Sequence, residues 1–215
     1  MSTTIKHHPD DATLMSYAAG ALEEPLAAVV AAHVSMCPHC RAEVADLERL
    51  GAALMLSSPV KDGSRLARPK RRQGDAGQNK PPVAVSSSER LPAPLAAAYD
   101  LSMDRIPWRR LGPGVWHHRL PLRAKDGGDL RLLRIGAGRK MPEHGHGGME
   151  LTLVLDGSYS DVTGEYRRGD VQDVDEDIEH RPMVGKDECV CLIATVHPAR
   201  FKSLIGKIMQ PWTGL

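Results

Sequence analysis

Between Ser57 and Ser88 the sequence carries few large apolar residues and no sustained hydrophobic period, and most of it reads VKDGSRLARPKRRQGDAGQNKPPVAVSSS. A stretch of this kind cannot bury enough apolar surface to offset the entropy of ordering it. It reads as a flexible linker over 61–90, and it divides the chain into two unlike parts. The basic run Lys70, Arg71 and Arg72 inside it is read as solvated linker, not as a nucleic-acid contact.

Residues 1–60 are rich in Ala, Leu, Met and Glu, a composition that favours helices. Three short helices are expected. Asp10 or Asp11 caps the first, whose apolar face carries Leu14, Tyr17, Ala18 and Leu22, with Gly20 marking its end. Glu23, Glu24 and Pro25 suit the first turn of the second, where carboxylates meet the positive end of the helix dipole and Pro forfeits no hydrogen bond.

The segment HVSMCPHC gives this part its chemistry. His33 and Cys37 are one helical turn apart and project from one face. Pro38 is badly placed to continue that helix and well placed to begin the next, which leaves Cys37 at the junction and Cys40 in the following first turn. A thiolate at such a helix start is stabilised by the dipole. The fourth ligand must come from elsewhere: a helix hairpin folding back can bring His7 or His8 to the site, of which His8 is preferred because it lies nearer the first helix, and His39, a competing candidate, is expected to face away. His8, His33, Cys37 and Cys40 then form a closed Cys2His2 set of the structural zinc type. A domain of about 55 residues has little core of its own, and a metal cross-link is a common remedy.

These residues, with HHPDDATLMSYAAGAL before them, resemble the zinc-binding anti-sigma domain, and in particular the ChrR-type branch. The resemblance implies a helical domain that grips an extracytoplasmic-function sigma factor and blocks its access to core RNA polymerase. It also implies that a helix near 91–101 completes the grip.

Beyond 102, Pro, Gly, Val and Arg alternate with apolar residues in the manner of short strands and tight turns. Within this part stands Gly138-x5-His144-x-His146-x3-Glu150-x6-Gly157. On a strand His144 and His146 point to one side, and after the Gly147–Gly148 turn Glu150 opens ELTLVL facing the same interior. The pattern resembles the first cupin motif, and Gly169 with His180 resembles the second, although Asp175 and Asp177 stand where Pro and Gly are usual and Val184 where Asn is frequent. The resemblance implies a metal site of His144, His146, Glu150 and His180 for zinc or another divalent transition metal, since three His and one Glu do not choose among them. Cys189 and Cys191 share a strand face and read as core cysteines, with oxidant sensing beside the metal as the sharper alternative. Trp108 and Trp116 are expected to fill the core at the start of the barrel, and His117 and His118 to lie on its surface.

The expected fold is therefore α+β in two domains: a zinc-stapled helical domain over 1–60, the linker, and a cupin antiparallel β-barrel over 102–215. Lys+Arg of 28 against Asp+Glu of 27 leaves a charge of +1 and no global field for DNA or an anionic membrane. Residues 1–56 are more acidic than basic, which speaks against direct DNA binding. No signal peptide or spanning segment is read, and the close cysteine pairs suit a reducing compartment, so the expected location is cytoplasmic. The expected function is stress-responsive transcription regulation, with a small molecule or oxidant sensed at the cupin. The alternative is a metal-dependent cupin enzyme of dioxygenase or isomerase type, disfavoured by the attached zinc domain and by the lack of a further acid/base constellation.

Overall fold

The computed structural model describes residues 4–57, 91–198 and the backbone of residues 200 and 201. The linker expected over 61–90, with Lys70, Arg71 and Arg72, lies outside the described residues.

Helix α1 (Asp11–Ala18) starts where the Asp10 carboxylate accepts from the Thr13 amide at 2.6 Å, satisfying a donor that has no partner within the first turn. It ends before Gly20, whose φ of 67° lies in the left-handed region. Leu22 thus lies beyond the helix that was expected to carry it, and packs half-buried against the core. Helix α2 (Glu24–Met36) has Glu24 and Pro25 in its first turn and closes on the extended residue Cys37. Pro38 then opens α3 (Pro38–Ser57), which runs 20 residues, longer than expected. Gly51 costs about 1 kcal/mol inside a helix but does not stop one flanked by Ala, Leu and Met. Helix α4 (Ala93–Tyr99) forms within the expected 91–101 and buries Leu95 against α2.

The strands are β1 (Arg109–Gly112), β2 (Val115–Arg123), β3 (Asp129–Ile135), β4 (His144–Gly145), β5 (Glu150–Asp156), β6 (Ser158–Ser160), β7 (Glu165–Arg167), β8 (Val171–Val174), β9 (Met183–Val184), β10 (Cys189–Thr195) and β11 (Arg200–Phe201). All their pairings are antiparallel, in a six-stranded sheet of order β1-β2-β3-β10-β5-β8, a three-stranded sheet β7-β6-β9 and the pair β4-β11. Leu133, Ile135 and Val154 of the large sheet share one apolar cluster with Tyr159, Tyr166 and Val184 of the small one, so the two sheets form facing walls. Gly157 makes the corner between β5 and β6: its φ is 70°, and a Cβ there would lie 2.0 Å from the Glu188 carbonyl oxygen.

The strands β3, β5 and β10 read as nearly continuous apolar runs because both of their faces are covered. One face turns to the small sheet. The other, with Leu130, Leu132, Leu151, Leu153, Leu155, Val190, Leu192 and Ala194, joins a single core with Leu26, Val29, Val30 and Ala32 of α2. Helix α2 is accordingly buried nearly all round, between the sheet on one side and α1, α3 and α4 on the other. Trp108 packs against this core as expected, whereas Trp116 does not. Both are half-buried, and the Arg134 guanidinium lies 5.3 Å above the Trp116 ring, since the interior positions are taken by Leu and Ile.

Candidate metal centres

The junction of α2 and α3 brings together His8, His33, Cys37 and Cys40, whose donor atoms all lie within 4.8 Å of one another. His8 Nδ1 is 3.2 Å from Cys40 Sγ, 3.5 Å from Cys37 Sγ and 3.4 Å from His33 Nε2, and His33 Nε2 is 3.3 Å from Cys40 Sγ. A tetrahedron with arms of about 2.0–2.3 Å has edges of about 3.3–3.8 Å, close to these separations. His7 lies apart, its ring 4.6 Å from that of Tyr166. His39 lies outside the four, exposed, with its nitrogen 3.8 Å from the Glu43 carboxylate.

The second cluster is built where β4 and the start of β5 approach His180. Strand β4 covers only His144 and Gly145, so the two histidines do not share one regular strand as expected, because the glycines of GHGG interrupt it. The side chains converge nonetheless: His180 Nε2 is 3.1 Å from His146 Nε2 and 3.2 Å from His144 Nε2, and the Glu150 carboxylate is 3.1 Å from His146 Nδ1. The four donor atoms again lie within 4.8 Å of one another.

The tautomers show what these clusters suit. His144 Nδ1 is 2.9 Å from the Pro142 carbonyl and His180 Nδ1 is 2.7 Å from the Asp161 carboxylate. Both partners only accept, so both Nδ1 atoms carry the proton and the two Nε2 lone pairs face each other. His33 repeats the pattern, with Nδ1 at 2.9 Å from the Gly169 carbonyl and Nε2 turned to the thiols. Lone pairs opposed in this way repel unless a cation lies between them, and both donor sets fit one.

Electrostatics agree. Burial pushes the His33 pKa down to about 4 and lowers that of His144, which keeps both rings neutral, the form that ligates. Burial and the neighbouring Cys37 push the Cys40 thiol up to about 12, so a metal there must displace its proton. For Glu150 burial opposes ionisation, but the His146 hydrogen bond and the surrounding imidazoles outweigh it and hold the carboxyl at about 2.

Beside the second cluster opens a cavity of about 890 Å³, its mouth included, with apolar walls such as Leu133, Ile135, Met141 and Ile193 and with His144, Glu150 and His180 also in its wall. Cys191 lines it too, 3.5 Å from Cys189 in sulfur separation. The hydrogen bond with Cys189 and burial raise the Cys191 thiol well above its ordinary value, unlike a reactive thiolate. His117 and His118 are half-buried and belong to neither cluster. Sequence reasoning missed Asp161, Asp170 and Gln172, and it read Gly169 as the start of the second cupin motif without its contact to His33. Only the fold brings them to the ligands, and no spacing rule reaches them.

A helical unit with a Cys/His cluster, mounted on a β fold with a His3Glu cluster, defines a zinc-finger domain joined to a metal-type cupin. Two family profiles match: a zinc-finger family over residues 11–41 and the ChrR cupin-like domain over 98–199. A protein of Cereibacter sphaeroides named anti-sigma-E factor ChrR is 40% identical over 213 residues, 97% of this chain and 98% of that one. The crystal structure of Rhodobacter sphaeroides SigE in complex with the anti-sigma ChrR matches with a TM-score of 0.71 at 36% identity, over 89% of this chain and 99% of that one. The chain belongs to the ChrR family of anti-sigma factors.

Proposed function

We propose that this protein is an anti-sigma factor that sequesters an extracytoplasmic-function sigma factor and keeps it from core RNA polymerase. The observation that carries this reading is a set of exposed large apolar side chains on the helices next to the first cluster: Met15 on α1 and Leu50, Leu54, Met55 and Leu56 on α3. Apolar surface of this kind marks an interaction site. The 40% identical relative is named an anti-sigma factor, and its family's solved structure is a complex with a sigma factor.

In this reading His8, His33, Cys37 and Cys40 hold zinc, which braces the helices against one another. His144, His146, Glu150 and His180 would hold zinc or another divalent transition metal, which would act as a Lewis acid toward a small molecule or oxidant entering the cavity. Helix α4 completes the grip through its contact with α2. The protein acts in the cytoplasm, where its partner meets polymerase, and it binds no DNA directly. Among the described residues no helix is long and apolar enough to cross a membrane. Membership of the family favours a regulator over the dioxygenase or isomerase alternative.

The test is affinity purification of the tagged chain from its host with identification of stoichiometric partners and a metal count. One small sigma factor with about one ion per cluster supports the reading. A chain that emerges alone and turns over small molecules in a manner lost with His144→Ala overturns it.

A further inference from the structure

The outer partners of the two clusters lie on one short stretch of chain. Asp161, whose side chain is fully buried, accepts from His180 Nδ1 at 2.7 Å. Its carboxylate is itself gripped by the Thr163 amide and hydroxyl and by Gln172 Nε2, at 2.8, 2.6 and 2.8 Å. Gln172 is the second residue of β8, and its oxygen accepts from the Tyr159 hydroxyl at 2.8 Å.

The same strand begins at the other cluster. Gly169 presents its carbonyl to His33 Nδ1, and it can do so only as glycine: its φ is 93°, and a Cβ there would lie 2.7 Å from Ile5 Cγ1. The next residue, Asp170, is buried and accepts the amides of Lys6 at 2.7 Å and His7 at 3.0 Å, while the Val171 amide donates to the His7 carbonyl at 3.1 Å. These bonds fix the chain immediately before His8. Further along β8, Asp173 accepts from the Asp10 amide and the Thr13 hydroxyl.

We infer that the segment from Asp161 to Asp173 is an outer shell shared by both metal centres, in which Asp161 positions His180, Gly169 positions His33, and Gln172 links the two. The inference rests on the reading that both clusters hold ions. Hydrogen bonds to the far nitrogen of a ligating histidine set the orientation and basicity of the ring, and their loss weakens metal binding 10–100-fold. A change of coordination at His180 moves Asp161, Asp161 moves Gln172, and β8 carries the displacement to His33 and to the segment holding His8. Asp161, Gly169 and Gln172 are positioning residues and touch no ion.

The test uses the full chain loaded with Co2+. Only the first cluster contains sulfur, so thiolate-to-cobalt charge-transfer absorption reports that site alone, and its decay in excess EDTA gives the release rate. Asp161→Asn, Gln172→Leu and Tyr159→Phe alter none of the eight donor residues. The Asn and Leu variants, like His180→Ala, should speed loss of the thiolate band about tenfold, the low end of outer-shell effects. Tyr159→Phe, which keeps the ring and the core packing, should move the rate the same way by a smaller factor. Rates within twofold of the parent for all three variants, in chains whose circular dichroism matches it, overturn the coupling. Absence of the band in the parent overturns the reading beneath it as well. Sigma-factor capture by the parent preparation separates the claims: capture with unchanged release rates defeats only this inference, whereas failed capture defeats the proposed function and leaves the coupling standing.

Discussion

The hydroxyl of Thr13 donates to the carboxylate of Asp173 at 2.8 Å, tying the first turn of α1 to strand β8. Burial beneath the helices pushes the Asp173 carboxyl above its usual range. It therefore binds a proton more readily in the folded chain than in the unfolded one. Its contribution to stability is fully present below the unfolded pKa of about 3.9 and is lost as pH rises through the higher folded value. Asp173→Asn keeps an acceptor oxygen for Asp10 and Thr13 while removing the titration. From about pH 4 upward the urea midpoint of this variant should rise relative to that of the parent, read as the difference between the two at each pH. Parallel curves would show that Asp173 does not titrate in this range.

Metal loading of the first cluster should release protons. With the Cys40 thiol held up at about 12 in the metal-free chain, at least one proton must leave when zinc binds near neutral pH. Affinity then rises with pH and falls on acidification. Calorimetry of zinc binding in buffers of different ionisation enthalpy measures the proton count, and a count of zero contradicts the thiolate assignment.

Glu150→Gln should empty the second cluster. The change removes the negative charge 3.1 Å from His146 Nδ1 and leaves an uncharged amide in a buried donor set. Metal content of the purified chain should drop from about two ions to about one, with binding at this site weakened by at least about tenfold, the low end of what loss of a mere outer-shell partner costs. Retention of two ions would exclude Glu150 as a ligand.

Leu54→Glu separates binding from folding. The side chain is 59% exposed on α3, so the change should alter stability by no more than about 0.5 kcal/mol. In the sigma-factor complex it would bury an unpaired charge, and affinity should fall by at least about tenfold, read by titration of a labelled partner. Unchanged affinity would move the interface away from the end of α3.

Leu153→Ala tests the shared core. Leu153 is fully buried between β5 and α2, and its truncation should cost about 2–5 kcal/mol. Helical and β signals should still lose structure together in urea. Two separated transitions would mean that the helices and the sheet fold as independent bodies.

Much of the site was legible because its chemistry is local. His33, Cys37 and Cys40 are spaced by the turn of a helix and a proline, and His144, His146 and Glu150 by a strand and a glycine turn, so the pattern carries the geometry. The Asp10 cap and the break at Pro38 were legible for the same reason. The extent of α3 was not, because a composition that favours helices sets no length, and the expected short helix runs on past Gly51 to Ser57. Nor was the burial of α2. Val29 and Val30 look like one face of a small bundle, and nothing local says that a sheet drawn from more than a hundred residues downstream will cover the other side. Asp161 was hidden likewise, and so was the contact of Gly169 with His33, since both come from tertiary approach and leave no mark in spacing.

The placement of α2 has a consequence for how such a regulator can be dismantled. A single peptide cut between Ser57 and Leu91 would sever the sequence into two fragments, yet α2 would stay in one fragment and the sheet it lies against in the other. Covalent continuity is therefore not what keeps the halves together. A protease acting on that stretch would leave a nicked but undivided particle, and clearance of the regulator would require the seam between α2 and the sheet to open as well.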